Sequence, residues 1–217
     1  YIKEYISQIR KFHFHDTGRR SPFTNDCDIT NDSYVMYDNG DNLAAILYRI
    51  RNEQPVIYKR IILVIQSIAP YFHDFYFQAT EANKIRLQWQ DKYSTMIYGP
   101  SDLSDGTIRF IALATLFMQP WLPKVIIIDE PELGLHPKAI EKLAGLIKSA
   151  AHRGTQIIAA TQSAELISNF THKDVLTVNQ CNGHTEISNL SSKDLEQWID
   201  EYTLGELWKQ NIIKGGQ

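Results

Sequence analysis

The spacing of apolar positions changes near residue 100. Before it, Phe12-His13-Phe14-His15 alternates like a short strand, and residues 16–42 are polar and rich in turn formers, which predicts loop. Residues 43–51 predict a helix. Pro55 opens a second helix, in which Ile57, Ile61, Val64, Ile65 and Ile68 recur at helical spacing until Pro70. Residues 75–79 and 85–90 read as strands; Ile85, Leu87 and Trp89 alternate with Arg86, Gln88 and Gln90, so that sheet has one wet face, and residues 96–98 extend it.

After Ser101, helices alternate with buried strands. Residues 107–118 are apolar nearly all round, the pattern of a buried helix, and Val125-Ile126-Ile127-Ile128 predicts a central parallel strand. Pro137 begins a helix with Ile140, Leu143, Ala144 and Ile147 on one face, ended by Arg153-Gly154. Residues 156–160 predict a strand and 163–170 a helix. Residues 175–179 and 185–188 flank Asn182-Gly183 as a hairpin, and 195–208 close the chain with helix. The alternation predicts an α/β architecture with functional loops at the carboxyl ends of the strands. It divides the chain into a helical and small-sheet segment, 1–100, and an α/β segment, 101–217.

Composition narrows the class. The 217 residues are 43% hydrophobic and 11% aromatic, enough for a sizeable core, which excludes disorder and a disulfide-stapled miniprotein. A formal charge of -3 supplies no global positive field for nucleic acid. Cys27 and Cys181 lie far apart without CxxC spacing, fitting a reducing, cytoplasmic setting. Apolar runs are too short to span a bilayer, so no membrane is expected as a partner.

The strongest chemical signal is Val125-Ile126-Ile127-Ile128-Asp129-Glu130-Pro131-Glu132. Carboxylates directly after a buried strand are costly unless a cation, water or donors offset them. A Mg²⁺-nucleotide would do so: Asp129 would hold the hard cation directly or through water, and Glu130 would orient or deprotonate an attacking water. The alternative is a strand ending in a solvated acidic turn. A second signal is Leu103-Ser104-Asp105-Gly106-Thr107 before the buried helix, where N–H groups and a hydroxyl at the positive helix end suit a phosphate. A plain N-cap beside a flexible glycine is the alternative.

In this order the motifs carry a resemblance. Leu103 to Thr107 resembles the LSGGQ signature of ABC-type ATPases, Val125 to Glu130 the Walker B motif with its catalytic glutamate, and Pro131-Glu132-Leu133-Gly134-Leu135-His136-Pro137 the D-loop of RecF-like and SMC-like ATPases. Ala160-Thr161-Gln162-Ser163 falls where that family carries its switch histidine. The chain resembles the C-terminal half of AAA_21-type predicted ATPases of the RecF/SMC/OLD-like branch. The likeness extends to Phe12-His13-Phe14-His15-Asp16-Thr17, Asn42-Leu43-Ala44-Ala45 and Tyr202-Thr203-Leu204-Gly205-Glu206-Leu207-Trp208.

The resemblance implies the α/β C-terminal lobe of an ABC-type P-loop ATPase, a mostly parallel sheet flanked by helices, with a small irregular or antiparallel N-terminal part. By position it makes Asp129 the Mg²⁺-associated residue, Glu130 the catalytic base and Gln162 the switch. Ser104, Asp105, Gly106 and Thr107 become the nucleotide-contacting signature, Ser104 and Gly106 facing the γ-phosphate, and Gly134, Leu135 and His136 the D-loop. Asp105 and Thr107 depart from LSGGQ.

No GxxxxGK[ST] occurs, and the resemblance assigns that loop and the Q-loop to a preceding lobe. With Tyr1 as first residue, the expectation is the C-terminal lobe of a larger ATPase, inactive alone. Because the signature of one subunit closes over nucleotide held by another, a head-to-tail homodimer around Mg-ATP is implied. The implied function is an ATP-hydrolysing switch in bacterial DNA repair or anti-phage defence, with an effector partner. The alternatives are an ATP-gated component of a nuclease complex, the nuclease residing on a partner chain, or a non-catalytic dimerisation or scaffold lobe.

Other residues leave two readings each. The Gln162 amide can donate to a phosphate oxygen, or cap the next helix. Arg109 pairs with Asp105 or transmits signature movement, or is a solvated side chain. His13 and His15 share a strand face beside Asp16 as a metal pair or as structural residues. His136 suits a cross-dimer contact more than catalysis. Lys3, Arg10, Lys11, Arg19 and Arg20 give the first segment a basic bias that could meet DNA phosphates, solvation being the alternative. Gly215-Gly216-Gln217 reads as a plain chain end.

Overall fold

A computed structural model describes residues 6, 8–190, 195, 198 and 201–213. Three parallel strands position the chemistry: β1 (Ile9–Phe12), β7 (Val125–Asp129) and β8 (Gln156–Ala160), in the order β1-β7-β8. Phe12 lies opposite Ile128, and Asp129 opposite Ala160, so the three strands end together. The β-branched run Val125 to Ile128 forms the middle strand because such side chains fit a pleated surface covered on both faces.

The covering layer is helical. Helices α1 (Leu43–Glu53), α2 (Pro55–Ile68) and α4 (Pro137–His152) pack on α3 (Asp105–Met118), where every residue from Ile108 to Phe117 is buried. Proline stands at the first turn of α2 and of α4, where its missing N–H leaves no bond unmade. One core joins Phe12, Phe14, Ile46, Ile61, Phe110, Ile126 and Leu143. Each such buried aliphatic or aromatic side chain contributes about 1.5–3 kcal/mol of transfer free energy.

Around this lie small antiparallel sheets: β3 (Phe72–Phe75), β5 (Trp89–Asp91) and β6 (Ile97–Tyr98) in the order β3-β5-β6, and β2 (Cys27–Asp28) with β4 (Lys84–Ile85). The strands predicted at 75–79 and 85–90 are thus displaced and shorter. Phe75 ends a strand instead of beginning one, and Trp89 starts β5, its ring stacked between Phe72 and Tyr98 at centroid distances of 5.8 and 5.0 Å. Ring packing, not simple alternation, sets this register.

Hairpin β9 (Leu176–Cys181) and β10 (His184–Asn189) turns at Asn182-Gly183 as its sequence requires. The helix expected over 163–170 contracts to α5 (Ala164–Ile167), and α6 (Leu204–Lys209) is capped by a reciprocal Thr203–Glu206 box. Of the helix expected over 195–208, residues 204–208 are helical in α6 and the capping Thr203 precedes them, while Lys3 and the Gly215-Gly216-Gln217 end lie outside the described residues. No described helix is long and apolar enough to cross a membrane.

Candidate functional site

Asp129 ends β7 with its side chain exposed, and the chain turns sharply at once: Glu130 has φ of +40°, a left-handed conformation that non-glycine residues rarely adopt. It is retained because the Glu130 N–H donates to the Ala160 carbonyl at 2.8 Å, extending the β7–β8 ladder past its last pair. Such strained backbone collects at sites where a side chain must be aimed. Two carboxylates thus leave a buried strand at the carboxyl end of the sheet, where α/β folds bind ligands. Hard oxygen donors of this type fit Mg²⁺.

The signature segment lies against the same turn. Ser104 caps α3, its Oγ accepting from the Thr107 N–H at 3.2 Å and sharing a hydrogen bond with Thr107 Oγ1 at 2.8 Å. Ser104 and Asp105 remain exposed at the helix end. A Cβ on Gly106 would come within 2.5 Å of the Gly134 carbonyl oxygen, so only glycine lets the helix N-terminus meet the turn. Gly134 itself has φ of +75°.

Arg109 neither pairs with Asp105 nor lies in solvent. It is 6% exposed, so it is not a solvated side chain, and its guanidinium donates to three main-chain carbonyls instead of bonding Asp105. Nε meets Phe14 O at 3.0 Å, Nη2 meets His15 O at 3.1 Å, and Nη1 meets Leu133 O. The planar fork therefore ties the signature helix to both the end of β1 and the acidic turn. Burial lowers its pKa, and Asp105 acts at longer range in the opposite sense.

His13 and His15 stand at the same end of the sheet. Their ring centroids are 4.0 Å apart, and His15 Nε2 lies 3.1 Å from the Asp129 carbonyl oxygen, which requires the proton on that nitrogen. Burial, followed by His15 and Lys11, lowers the His13 pKa. Among the described residues no cluster of three or more His, Cys, Asp or Glu side chains is arranged for a metal.

Sequence reasoning passed over Glu132 and Thr161. Glu132 is 8% exposed; Oε1 accepts from the Thr161 hydroxyl, and Oε2 is buried without a hydrogen-bond partner. The visible signal was a third carboxylate three residues after Asp129, at a spacing that returns it to the strand end. Burial raises its pKa, Thr161 opposes this, and Glu130 and Asp129 add to it. Its folded-state pKa exceeds its unfolded value, so its stabilising contribution is full below the ordinary carboxylate range and is lost as pH rises through the raised pKa. Urea midpoints of wild-type chain and Glu132→Gln should therefore diverge with rising pH, the variant gaining relative to wild type; parallel pH curves would contradict this.

Gln162 is exposed and does not cap the next helix. That role belongs to Ser163, whose Oγ accepts from the Leu166 N–H at 3.1 Å. His136, also exposed, caps α4 by accepting from the Lys138 N–H at 3.3 Å, and Leu135 is buried behind it.

Known proteins resemble the chain in sequence and in fold. Residues 65–168 match the AAA_21 family, described as "AAA domain, putative AbiEii toxin, Type IV TA system". The energy-coupling factor transporter ATP-binding protein EcfA2 of Lactobacillus delbrueckii subsp. bulgaricus is 28% identical over 140 residues, covering 61% of this chain and 47% of the relative. A solved structure from work on ATP-driven dimerization and DNA-stimulated activation of SMC ATPases shares the fold, with a TM-score of 0.52 and 16% identity over 78% of this chain and 99% of that one. The Smc head bound to the C-winged helix domain of ScpA gives 0.58 and 14% identity over 85% of this chain and 55% of that one.

The chain is thus similar in sequence to ATP-binding proteins of ABC transporters and in fold to SMC heads. It spans about half the length, or less, of the curated relatives it matches. Its fold is that of the SMC head lobe that carries a parallel sheet with flanking helices. EcfA2 is named as an ATP-binding protein, and the SMC proteins of the first structure are ATPases.

Proposed function

We propose that this chain is the signature and Walker B lobe of an ATP-hydrolysing switch that dimerises around Mg-ATP. The observation that carries the reading is the contact of the α3 N-terminus, through Gly106, with the turn that follows Asp129 and Glu130. One lobe thereby joins a phosphate-suited helix end to a Mg²⁺-suited strand end.

In this reading Asp129 holds Mg²⁺, and Glu130, aimed by its left-handed backbone, orients the attacking water and accepts its proton. Bound Mg²⁺ neutralises charge on the phosphates. Ser104 and Gly106, flanked by Asp105 and Thr107, meet the γ-phosphate held by a second subunit. Gln162 donates its amide to that phosphate without the charge of an imidazolium, which favours slow, switch-like turnover. Gly134, Leu135 and His136 line the dimer contact.

The exposed state of β8 supports a lobe that works with more protein. Ile158 is 49% exposed on a parallel strand, a type ordinarily covered on both faces, and Leu176, Val178 and Ile187 stand exposed on the hairpin. We assign this surface to a nucleotide-cradling lobe of the same ATPase, with residues 101–217 as the chemical half and 1–100 as the flanking part. Equilibrium titration of the 217-residue chain with Mg-ATP should then show little binding; tight stoichiometric binding would overturn the assignment.

For context we favour defence over repair. The matched family's description names a toxin of a type IV system, and the relative studied as an SMC ATPase is stimulated by DNA. DNA and an effector protein are the partners this reading implies. An ATPase assay of the complete protein with and without double-stranded DNA separates a DNA-sensing switch from one governed by a protein.

A further inference from the structure

The acidic turn is joined to the neighbouring strand by two rungs. The first is main-chain, from the Glu130 N–H to the Ala160 carbonyl at 2.8 Å. The second lies beyond the end of β8, where no ladder operates: the Thr161 hydroxyl donates to Glu132 Oε1. Thr161 Oγ1 in turn accepts from the Ser163 N–H at 2.9 Å, and Ser163 caps α5. Gln162 sits inside this bridge, between the residue that Glu132 holds and the residue that Thr161 holds. Its own side chain is exposed, so its place is set by its neighbours.

Glu132 is more than nine-tenths buried, yet Oε2 has no hydrogen-bond partner. Burying half a carboxyl group unsatisfied works against stability, and an apolar residue would avoid it. What the carboxyl supplies in return is an acceptor beneath the loop that carries Gln162. On the other side of the same turn, the adjacent Leu133 carbonyl accepts from Arg109. A continuous set of contacts therefore runs from the signature helix through Arg109, Leu133 and Glu132 to Thr161 and the Gln162 loop.

We propose that Glu132 is a positioning residue that couples the signature helix to the Gln162 loop, so that a displacement of the acidic turn is passed to Gln162. The inference rests on the ATPase reading for the meaning of Gln162, but the coupling itself is a property of this chain. Spatial continuity alone does not establish coupling; a double-mutant cycle does.

The test is amide hydrogen exchange at Ser163 in the 217-residue chain without nucleotide. Glu132→Ala should speed Ser163 exchange by about 5–10-fold, the effect of one lost hydrogen bond. Thr161→Val should do the same, and the double variant should be no faster than either alone. Glu132→Gln and Thr161→Ser keep the acceptor and the hydroxyl and should restore protection, a rescue that also carries the test if Glu132→Ala fails to fold. Unchanged Ser163 exchange in folded Glu132→Ala and Thr161→Val, or additive effects in the double variant, would overturn the coupling.

In the complete ATPase, Glu132→Ala should lower kcat with little change in KM for ATP. An insensitive kcat beside intact exchange coupling would overturn the role in the switch. Turnover that ignores Glu130→Gln as well would overturn the ATPase reading instead, leaving the exchange result standing.

Discussion

Glu130→Gln in the complete ATPase is expected to slow ATP hydrolysis by about 10²–10⁴-fold, the usual worth of a positioned general base. The amide keeps the size of the side chain and its hydrogen-bonding oxygen but cannot accept a proton from water. Nucleotide affinity should change little, because the main-chain bond from Glu130 to Ala160 does not involve the side chain. Single-turnover kinetics separates the two effects: the chemical step falls while the binding phase is kept. A variant that hydrolyses normally would place the base elsewhere and return Glu130 to the role of a solvated turn residue.

Removing Arg109 is the second large effect, and it falls on stability. Arg109→Ala strands the carbonyls of Phe14, His15 and Leu133, which now accept from one buried guanidinium. Leaving such acceptors unsatisfied should cost about 2–4 kcal/mol after water reaches the most accessible of them. Arg109→Lys should recover only part, since a single ammonium cannot serve three acceptors with the geometry of a planar fork. Urea unfolding checks this: the midpoint should drop with an unchanged slope. A loss below about 0.5 kcal/mol, the range of ordinary surface substitutions, would mean the clamp is not needed.

The core strands and helices were legible because their signals are local. The apolar run Val125 to Ile128, the prolines at 55 and 137 and the Asn182-Gly183 turn each fix an element without outside help. The small sheets were less legible: Trp89 and Phe72 settle the register through a ring stack that joins residues distant in sequence. Helix α5 stops after Ile167 instead of running to Phe170, ended by turn bonds that no periodicity announces.

The site divides in the same way. Ser104 and the pair Asp129-Glu130 stand at element ends that the sequence marks. The burial of Arg109 was hidden because it arises from carbonyls about 95 positions earlier in the chain. Glu132 was hidden because its partner Thr161 is 29 positions later, and burial, not spacing, makes it unusual. Gly106 reads as a flexible glycine until the Gly134 carbonyl is seen across from it.

The central claim is that the signature and the acidic strand end act together on ATP shared between two copies. Light scattering of the complete Glu130→Gln protein tests it most directly. With Mg-ATP the account predicts a mass of twice the protomer, reverting to the protomer when nucleotide is removed; a monomer at saturating Mg-ATP would contradict it.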